Sequence, residues 1–503
     1  MKLKYYFTLL SLLSFMACSD DSPSTPDTPD QPDVPNSVEK LVTINAGKTY
    51  QTITGFGASD CWNPSYVGKY WTNSREKITE LLFSSEIQAG SPKGIGLSMW
   101  RVNLGGGTAE QGDASGITDK SRRAESYLTN DLTLDWNRCE GQRYFLNRAK
   151  EFGCESIVLF SNTPPVQYTQ NGKGFSNQGG VSNLKNDCYD DFAAYMGDVA
   201  QYYIDKGYPV THISPVNEPQ YNWDGGQEGS GWTNDEVARL ARELDDALTE
   251  RNLSTDILLG ESGDWEYLYK TKDDANRSNV MSAFFTPGSS AYVGNLNHVK
   301  KLICGHSYWT DGTWDGMRSV RKQVAQAATQ YGVDVWQSEW SMLGDNYSNT
   351  EFVGYDNATE MDIAFYMSRV IHNDLTVVSS WSYWTSMDVA RWGHKNRFLL
   401  ISLVPGGGIN DNNDNIEKEG TFQPTATLWV LGNYSLFIRP GYQRINMQLT
   451  ESLNFFGSAW LSPQGDKIVA VFTNMSSKNV RLSETHEGWS NKATSIRTYT
   501  TTN

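Results

Sequence analysis

Eight short apolar runs, separated by longer amphipathic stretches, set the narrowest limit on what this chain can fold into. They are Ile53–Ala58, Leu97–Leu104, Ser156–Ser161, Thr211–Asn217, Asp256–Glu261, Leu302–Ser307, Val333–Glu339 and Thr376–Trp384. Each has the length of a buried strand. Helical patterns fill the intervals, among them Glu76–Phe83, Gly141–Phe152, Asp190–Asp205, Asp235–Arg251, Ser319–Tyr331 and Glu360–His372. Thr233-Asn234-Asp235-Glu236 is a capping box at the start of the fourth. Strands alternating with helices make a parallel sheet, and no GxGxxG motif follows a strand to favour a doubly wound one. The expected fold is therefore α/β, a closed (β/α)8 TIM barrel over residues 51–440. At 503 residues the chain has room for such a barrel, which takes about 250 residues or more, and for a smaller domain beside it.

After residue 440 the pattern changes. Arg444–Thr450, Ser458–Leu461, Lys467–Thr473, Asn479–Leu482 and Thr494–Tyr499 are short, alternating and bounded by turn residues. Val38–Ile44 alternates in the same way. A β-sandwich side domain over 441–503, joined by a strand within 38–50, is expected to flank the barrel. The N-terminus reads as a processing signal. Lys2 and Lys4 precede an apolar stretch, Tyr5 to Met16, that is too short to span a bilayer. It ends at Ser14-Phe15-Met16-Ala17-Cys18, which resembles a bacterial lipobox. Residues 1–18 are thus expected to be a lipoprotein signal peptide ending at a lipidated Cys18. Ser19-Asp20-Asp21 resembles the acidic stretch that sends some bacterial lipoproteins to the outer surface of the outer membrane. Pro23, Pro26, Pro29, Pro32 and Pro35 then make residues 19–37 an extended tether.

Composition narrows the partners. A formal net charge of −16 argues against a polyanion such as nucleic acid. The only membrane contact expected is the lipid anchor, and the chain is expected to be a monomer. Aromatic residues make up 12% of the chain, with 17 Trp, 26 Tyr and 19 Phe. Most of these belong in a core, yet the surplus suits stacking on the apolar face of a sugar. Six cysteines are present. With Cys18 lipidated five are left, an odd number without CxxC, so neither a disulfide framework nor a zinc site is expected.

Two of the apolar runs stop at a glutamate among polar and aromatic residues. These are His212-Ile213-Ser214-Pro215-Val216-Asn217-Glu218-Pro219 and Val333-Asp334-Val335-Trp336-Gln337-Ser338-Glu339-Trp340. Carboxylates at the C-terminal ends of barrel strands sit in the active-site mouth. Two facing one cleft are the minimal machinery for glycosidic cleavage, one as acid and one as nucleophile or base. Glu218 is the natural acid/base and Glu339 the natural nucleophile. Asn217 offers an amide for a sugar hydroxyl. Glu261, ending the fifth run, is a third candidate and is expected to contact substrate. This chemistry needs no metal and no cofactor.

The chain resembles glycoside hydrolase family 30, of the clan A retaining glycosidases. Gln51-Thr52-Ile53-Thr54-Gly55-Phe56-Gly57-Ala58-Ser59 matches that family's first strand, Asn217-Glu218-Pro219 its acid/base strand, and the Glu339 segment its nucleophile strand. Gly432-Asn433-Tyr434-Ser435-Leu436-Phe437-Ile438-Arg439-Pro440-Gly441-Tyr442 matches the helix entering its side β domain. Gly94-Ile95-Gly96-Leu97-Ser98-Met99-Trp100-Arg101 and Ala109-Glu110-Gln111-Gly112-Asp113-Ala114-Ser115 look most like a bacterial group related to endo-β-1,6-galactanases. The resemblance implies a retaining hydrolase acting on a polysaccharide or oligosaccharide, with β-1,6-glucan and xylan as the alternatives to galactan. By position, Arg101 would keep the nucleophile ionised and Tyr308 would hydrogen-bond it. His306 would contact the sugar, and Trp384 would floor the −1 subsite. After the third run, Ser161-Asn162-Thr163-Pro164-Pro165-Val166-Gln167-Tyr168 lacks a tryptophan that many relatives carry there, which bears on substrate identity. A non-catalytic glycan-binding lipoprotein on the same scaffold would be expected to have lost one of the two glutamates, and both are present.

Overall fold

A computed structural model of the chain describes residues 37–177, 179–343, 351–354, 357–390, 397–491 and 493–502. The signal peptide, Cys18 and the proline tether lie outside the described residues. Eight parallel strands close into a barrel: Gly55–Ser59, Met99–Asn103, Ser156–Phe160, Val210–Ser214, Asp256–Ser262, Val299–His306, Asp334–Glu339 and Ser380–Tyr383. The eighth pairs with the first, Ser380 opposite Gly55 and Tyr383 opposite Ala58. Each of the eight apolar runs supplies one of these strands.

Two boundaries shift for local reasons. The fourth strand ends at Ser214 because Pro215 has no N–H to give the ladder. Asn217 and Glu218 therefore stand on the loop just past the strand. The eighth begins at Ser380, not Thr376, because Thr376, Val377 and Val378 give their N–H groups to Asn373 and Asp374 at the end of the preceding helix. That helix, Glu360–Asp374, and the helix Asn234–Glu250 both open with full capping boxes, on Thr359 and Thr233.

Side chains alternate between the two faces of a strand, and this sets the barrel interior in layers. Met99, Val158, Leu258, Cys304 and Trp336 form one buried apolar plug. His212 closes it from the fourth strand, its ring 4.6 Å from that of Trp336. Burial without a charged partner lowers the His212 pKa to about 4, so this histidine is a neutral packing group. Two residues further along the same strand faces come Arg101, Phe160, His306 and Ser338. The plug thus carries a polar layer directly above it, at the mouth of the barrel.

A five-stranded sheet flanks the barrel, in the order Ile468–Asn474, Phe455–Leu461, Gln443–Gln448, Ser37–Thr52, Asn479–Glu487. The N-terminal strand runs antiparallel to Gln443–Gln448 and parallel to Asn479–Glu487, so both ends of the chain build one sheet. Val42, Ile44, Ala46, Ile445 and Ala459 form its small core. The strand expected over Thr494–Tyr499 is not formed. Tyr499 stacks on Phe437 with ring centroids 4.7 Å apart, and Thr501 accepts a bond from Asn433 Nδ2, so this segment packs along the barrel helix and joins no ladder. Among the described residues, Cys61, Cys139, Cys154 and Cys304 are buried free thiols and Cys188 is a half-buried one.

Because Ile44 is buried in the shared core of this sheet, Ile44→Ala should cost about 2–5 kcal/mol. Urea unfolding would measure it. A loss within about 0.5 kcal/mol, the scale of a surface substitution, would mean that the N-terminal strand does not hold the sheet together.

Candidate active site

Arg101 projects from the second strand into the mouth and is almost wholly buried. Its Nη1 donates to Glu339 Oε2 at 2.6 Å and its Nη2 to Asn217 Oδ1 at 2.8 Å, while Glu261 Oε2 lies 3.3 Å from Nη2. One guanidinium therefore ties together residues from the fourth, fifth and seventh strand ends. His306 does the same from the sixth. Its Nδ1–H donates to Glu218 Oε1 at 2.9 Å and its Nε2–H to Glu261 Oε2 at 2.8 Å. Tyr308 donates its hydroxyl to Glu339 Oε1 at 3.0 Å.

Backbone geometry makes this convergence possible. On the seventh strand Gln337 pairs with Gly305 but Glu339 pairs with His306, leaving Ser338 as the extra residue of a bulge. Two consecutive side chains can then serve the mouth: Ser338 donates to Glu261 Oε2 at 2.6 Å, and Glu339 faces Arg101. Glu218 and Glu261 have φ of 42° and 41°, a left-handed conformation that non-glycine residues rarely adopt. The Glu218 N–H donates to the Glu261 carbonyl at 2.9 Å, so the two strained residues brace each other. Strain of this kind collects where a side chain must be aimed.

Burial and charge set the electrostatics. Glu218 and Glu339 are 8% and 5% exposed, whereas Glu261 has no exposed surface at all. For Glu261, burial pushes the carboxyl up. Arg101, His306 and Ser338 outweigh it and hold the pKa near about 2. For His306, burial favours the neutral ring, but Glu339, Glu218 and Glu261 surround it and raise its pKa to about 10. It is an imidazolium at neutral pH, with both ring nitrogens donating. Burial raises the Glu339 carboxyl, Glu218 and Glu261 add to the rise, and His306 and Arg101 oppose it.

Two sequence expectations for side-chain contacts change. Glu261 is enclosed behind the cleft and holds Arg101, His306 and Ser338 in place, so it is not a substrate contact. His306 is also fully buried and addresses the glutamates rather than open space. Arg101, almost fully buried, bonds Glu339 as expected, and Asn217 as well. Trp384 is half-buried at the end of the eighth strand, its ring edge-on to that of Trp62 at 5.1 Å. Trp62 follows the first strand end, and the reasoning from strand-end carboxylates passed over it. Among the described residues its buried Nε1 has no partner, and neither has Oδ1 of the buried Asn162 after the third strand. Both are buried polar atoms that water or a ligand's hydroxyl could satisfy. One oxygen each of Glu218 and Glu339 and a ring nitrogen of His306 lie within 4.8 Å of one another, the sole such group among the described residues. A cation there would compete with the Arg101 guanidinium and the charged imidazole.

Comparison with known proteins places this arrangement. The model of "O-Glycosyl hydrolase family 30" matches residues 39–395. An endo-beta-1,6-galactanase of Hypocrea rufa is 23% identical over 422 residues, which cover 80% of this chain and 75% of the relative. The solved structure of a conserved exported protein from Bacteroides fragilis superposes with a TM-score of 0.81 at 30% identity, over 88% of this chain and 91% of that one. The catalytic domain of GH30 xylanase C from Talaromyces cellulolyticus shares the fold, with a TM-score of 0.58 at 19% identity over 86% of each chain. With a closed barrel, two glutamates converging in its mouth and a family match across most of its length, this chain belongs to O-glycosyl hydrolase family 30.

Proposed function

We propose that the protein is a surface-anchored retaining hydrolase that cuts within β-1,6-linked galactan, with Glu339 as nucleophile and Glu218 as acid/base. The observation that carries the mechanism is that one oxygen of Glu218 and one of Glu339 lie within 4.8 Å of each other. Retaining glycosidases hold their carboxyl groups about 5–5.5 Å apart, whereas inverting ones leave about 6.5–9.5 Å to seat a water. Likeness to the Hypocrea rufa endo-beta-1,6-galactanase supports the choice of substrate.

The residues divide the work as follows. A Glu339 oxygen attacks the anomeric carbon while Glu218 gives its proton to the departing glycosidic oxygen. The C–O bond breaks, and a glycosyl ester to Glu339 forms. Glu218, now a carboxylate, takes a proton from water; that water attacks the same carbon and Glu339 leaves. Arg101 and Tyr308 hold the Glu339 oxygens in line and stabilise their charge when the ester breaks. Because Asn217 Oδ1 accepts from Arg101, its NH2 is left for the sugar's 2-hydroxyl. Trp62 and Trp384 would line the sugar's other side, with Trp62 Nε1 and Asn162 Oδ1 taking hydroxyls.

Two experiments follow from this assignment. The enzyme should be offered β-1,6-galactan, β-1,6-glucan and xylan in parallel, with products sized and their anomers followed by proton NMR from the first minutes. Galactan should yield oligosaccharides in the β form first. Preferential cleavage of glucan or xylan would replace the substrate, and early α-anomer would refute the double displacement. On the same substrate Glu218→Gln should slow turnover by roughly 10²–10⁴, yet keep most of the first step on an aryl glycoside whose leaving group needs no proton. Equal loss on both would remove Glu218 from the acid role.

Charge coupling predicts a pH signature. His306 titrates at 6.5 when unperturbed and at about 10 here. Its stabilisation is therefore complete below about pH 6.5 and lost as pH rises through about 10. Glu261 is lowered from 4.5 to about 2, so its share is complete above about pH 4.5 and lost as pH falls through about 2. The Tm difference between wild type and His306→Gln should be greatest near pH 5–6 and narrow steadily towards pH 10. A difference independent of pH would show that His306 is uncharged. For the anchor, Cys18→Ala should release the protein from the membrane fraction; wild type recovered wholly in the soluble fraction would refute it.

A further inference from the structure

Trp309 stands apart from every other tryptophan among the described residues: 48% of its surface is exposed. A single exposed apolar side chain needs no explanation by itself. Two further observations set this one apart. Its φ is 55°, a left-handed conformation uncommon for a bulky residue, in the turn that follows the sixth strand. It also directly follows Tyr308, whose hydroxyl is fixed on Glu339 and whose ring meets that of Trp309 at 5.7 Å and 61°. The exposed indole therefore stands one residue from the side chain that bonds Glu339.

What lies between Trp309 and the proposed acid/base is an absence of side chain. A β-carbon added to Gly263 would stand 3.4 Å from Glu218 Oε1 and 3.5 Å from Trp309 Cζ3. Gly263 thus keeps open a gap bounded on one side by the Glu218 carboxyl and on the other by the edge of the indole. Its own N–H reaches Gln220 Oε1, which ties the loop after the fifth strand to the loop carrying Glu218. Trp62 and Trp384, by contrast, pair with each other at the ends of the first and eighth strands. Aromatic surface is available both there and beside Glu218.

We infer that Trp309 is the platform of the leaving-group subsite, on which the departing sugar of the glycan stacks its apolar face. This rests on Glu218 being the proton donor, since the donor must face the leaving oxygen and the sugar attached to it. In a 1,6 linkage that oxygen is carried on an exocyclic carbon, so the departing ring stands one carbon further from the acid than in a ring-to-ring linkage. A platform set back from Glu218 by the width of a glycine suits that displacement. Trp309 is a specificity-determining residue here: it takes no part in bond breaking but decides which leaving sugars, and which acceptors, are held.

Partition of the glycosyl-enzyme tests this, because transfer to a sugar acceptor uses the leaving-group subsite and hydrolysis does not. The full-length protein would be given an aryl glycoside of β-1,6-galactobiose as donor and free β-1,6-galactobiose as acceptor, with transfer and hydrolysis products quantified by mass spectrometry. Trp309→Ala should lower the transfer-to-hydrolysis ratio about tenfold, the scale of losing one stacked aromatic anchor, and Trp309→Phe should keep most of it. Both products arise from one intermediate, so the ratio is independent of how much enzyme is folded. An unchanged ratio in Trp309→Ala, or hydrolysis without any transfer by wild type, would overturn the platform while leaving the two-glutamate mechanism standing. Failure of wild type to release the aryl group would instead overturn the function on which it rests.

Discussion

Arg101 bonds three residues brought from three different strand ends, and the rest of the mouth is arranged around it. A guanidinium almost wholly removed from water costs several kcal/mol in desolvation, and only good geometry to anions offsets that. Here Glu339, Glu261 and Asn217 supply it. Taking away one partner of such a buried pair typically costs about 3–5 kcal/mol, so the barrel cannot relax one strand end without unsettling the others. The phenyl ring of Phe160 lies under the guanidinium at 3.6 Å, and the apolar plug of Met99, Val158 and Trp336 closes the floor. Water cannot enter from below to solvate the charge instead.

Aiming these side chains requires departures from regular strand geometry at three places. A bulge at Ser338 lets adjacent residues face the same mouth. Left-handed backbone at Glu218, just past the fourth strand, and at Glu261, within the last residues of the fifth, redirects each chain, and one hydrogen bond between them links the two. A regular ladder would send alternate residues to opposite faces and could not converge so many side chains on one sugar-sized space. The strain sits at the mouth, above a buried apolar plug.

Much of this was legible in the sequence. The eight strands were visible because a strand buried on both faces reads as an unbroken apolar run, and the two glutamates because they interrupt such runs. The bulge was not legible, since one extra residue in a strand leaves no compositional trace. Glu261 was misjudged for a related reason: a strand-end carboxylate looks the same whether it opens to the cleft or turns behind it, and only the positions of His306 and Ser338 tell the two apart. Trp62 is not legible because a tryptophan just past a strand reads the same in sequence whether it lines a cleft or packs in a core. The absent strand over Thr494–Tyr499 shows the opposite error, in which alternation was real but Tyr499 and Thr501 found partners on a helix before any strand edge.

The third carboxylate is the least expected member of the centre, and a count of charge gives it a purpose. Glu218, Glu339 and Glu261 bring three potential negative charges, against two positive ones on Arg101 and on His306, whose pKa stands near about 10. With Glu261 held ionised near about 2, the buried cluster is neutral when the facing pair of glutamates shares one proton between them. That is the state a retaining mechanism starts from, one carboxyl to donate and one carboxylate to attack. Without Glu261 the Glu339 carboxyl would lose one of the charges that raise it, and the lowering by His306 and Arg101 would be less opposed. Enclosed and unable to touch a sugar, Glu261 would then act on the chemistry through the protonation of its neighbours.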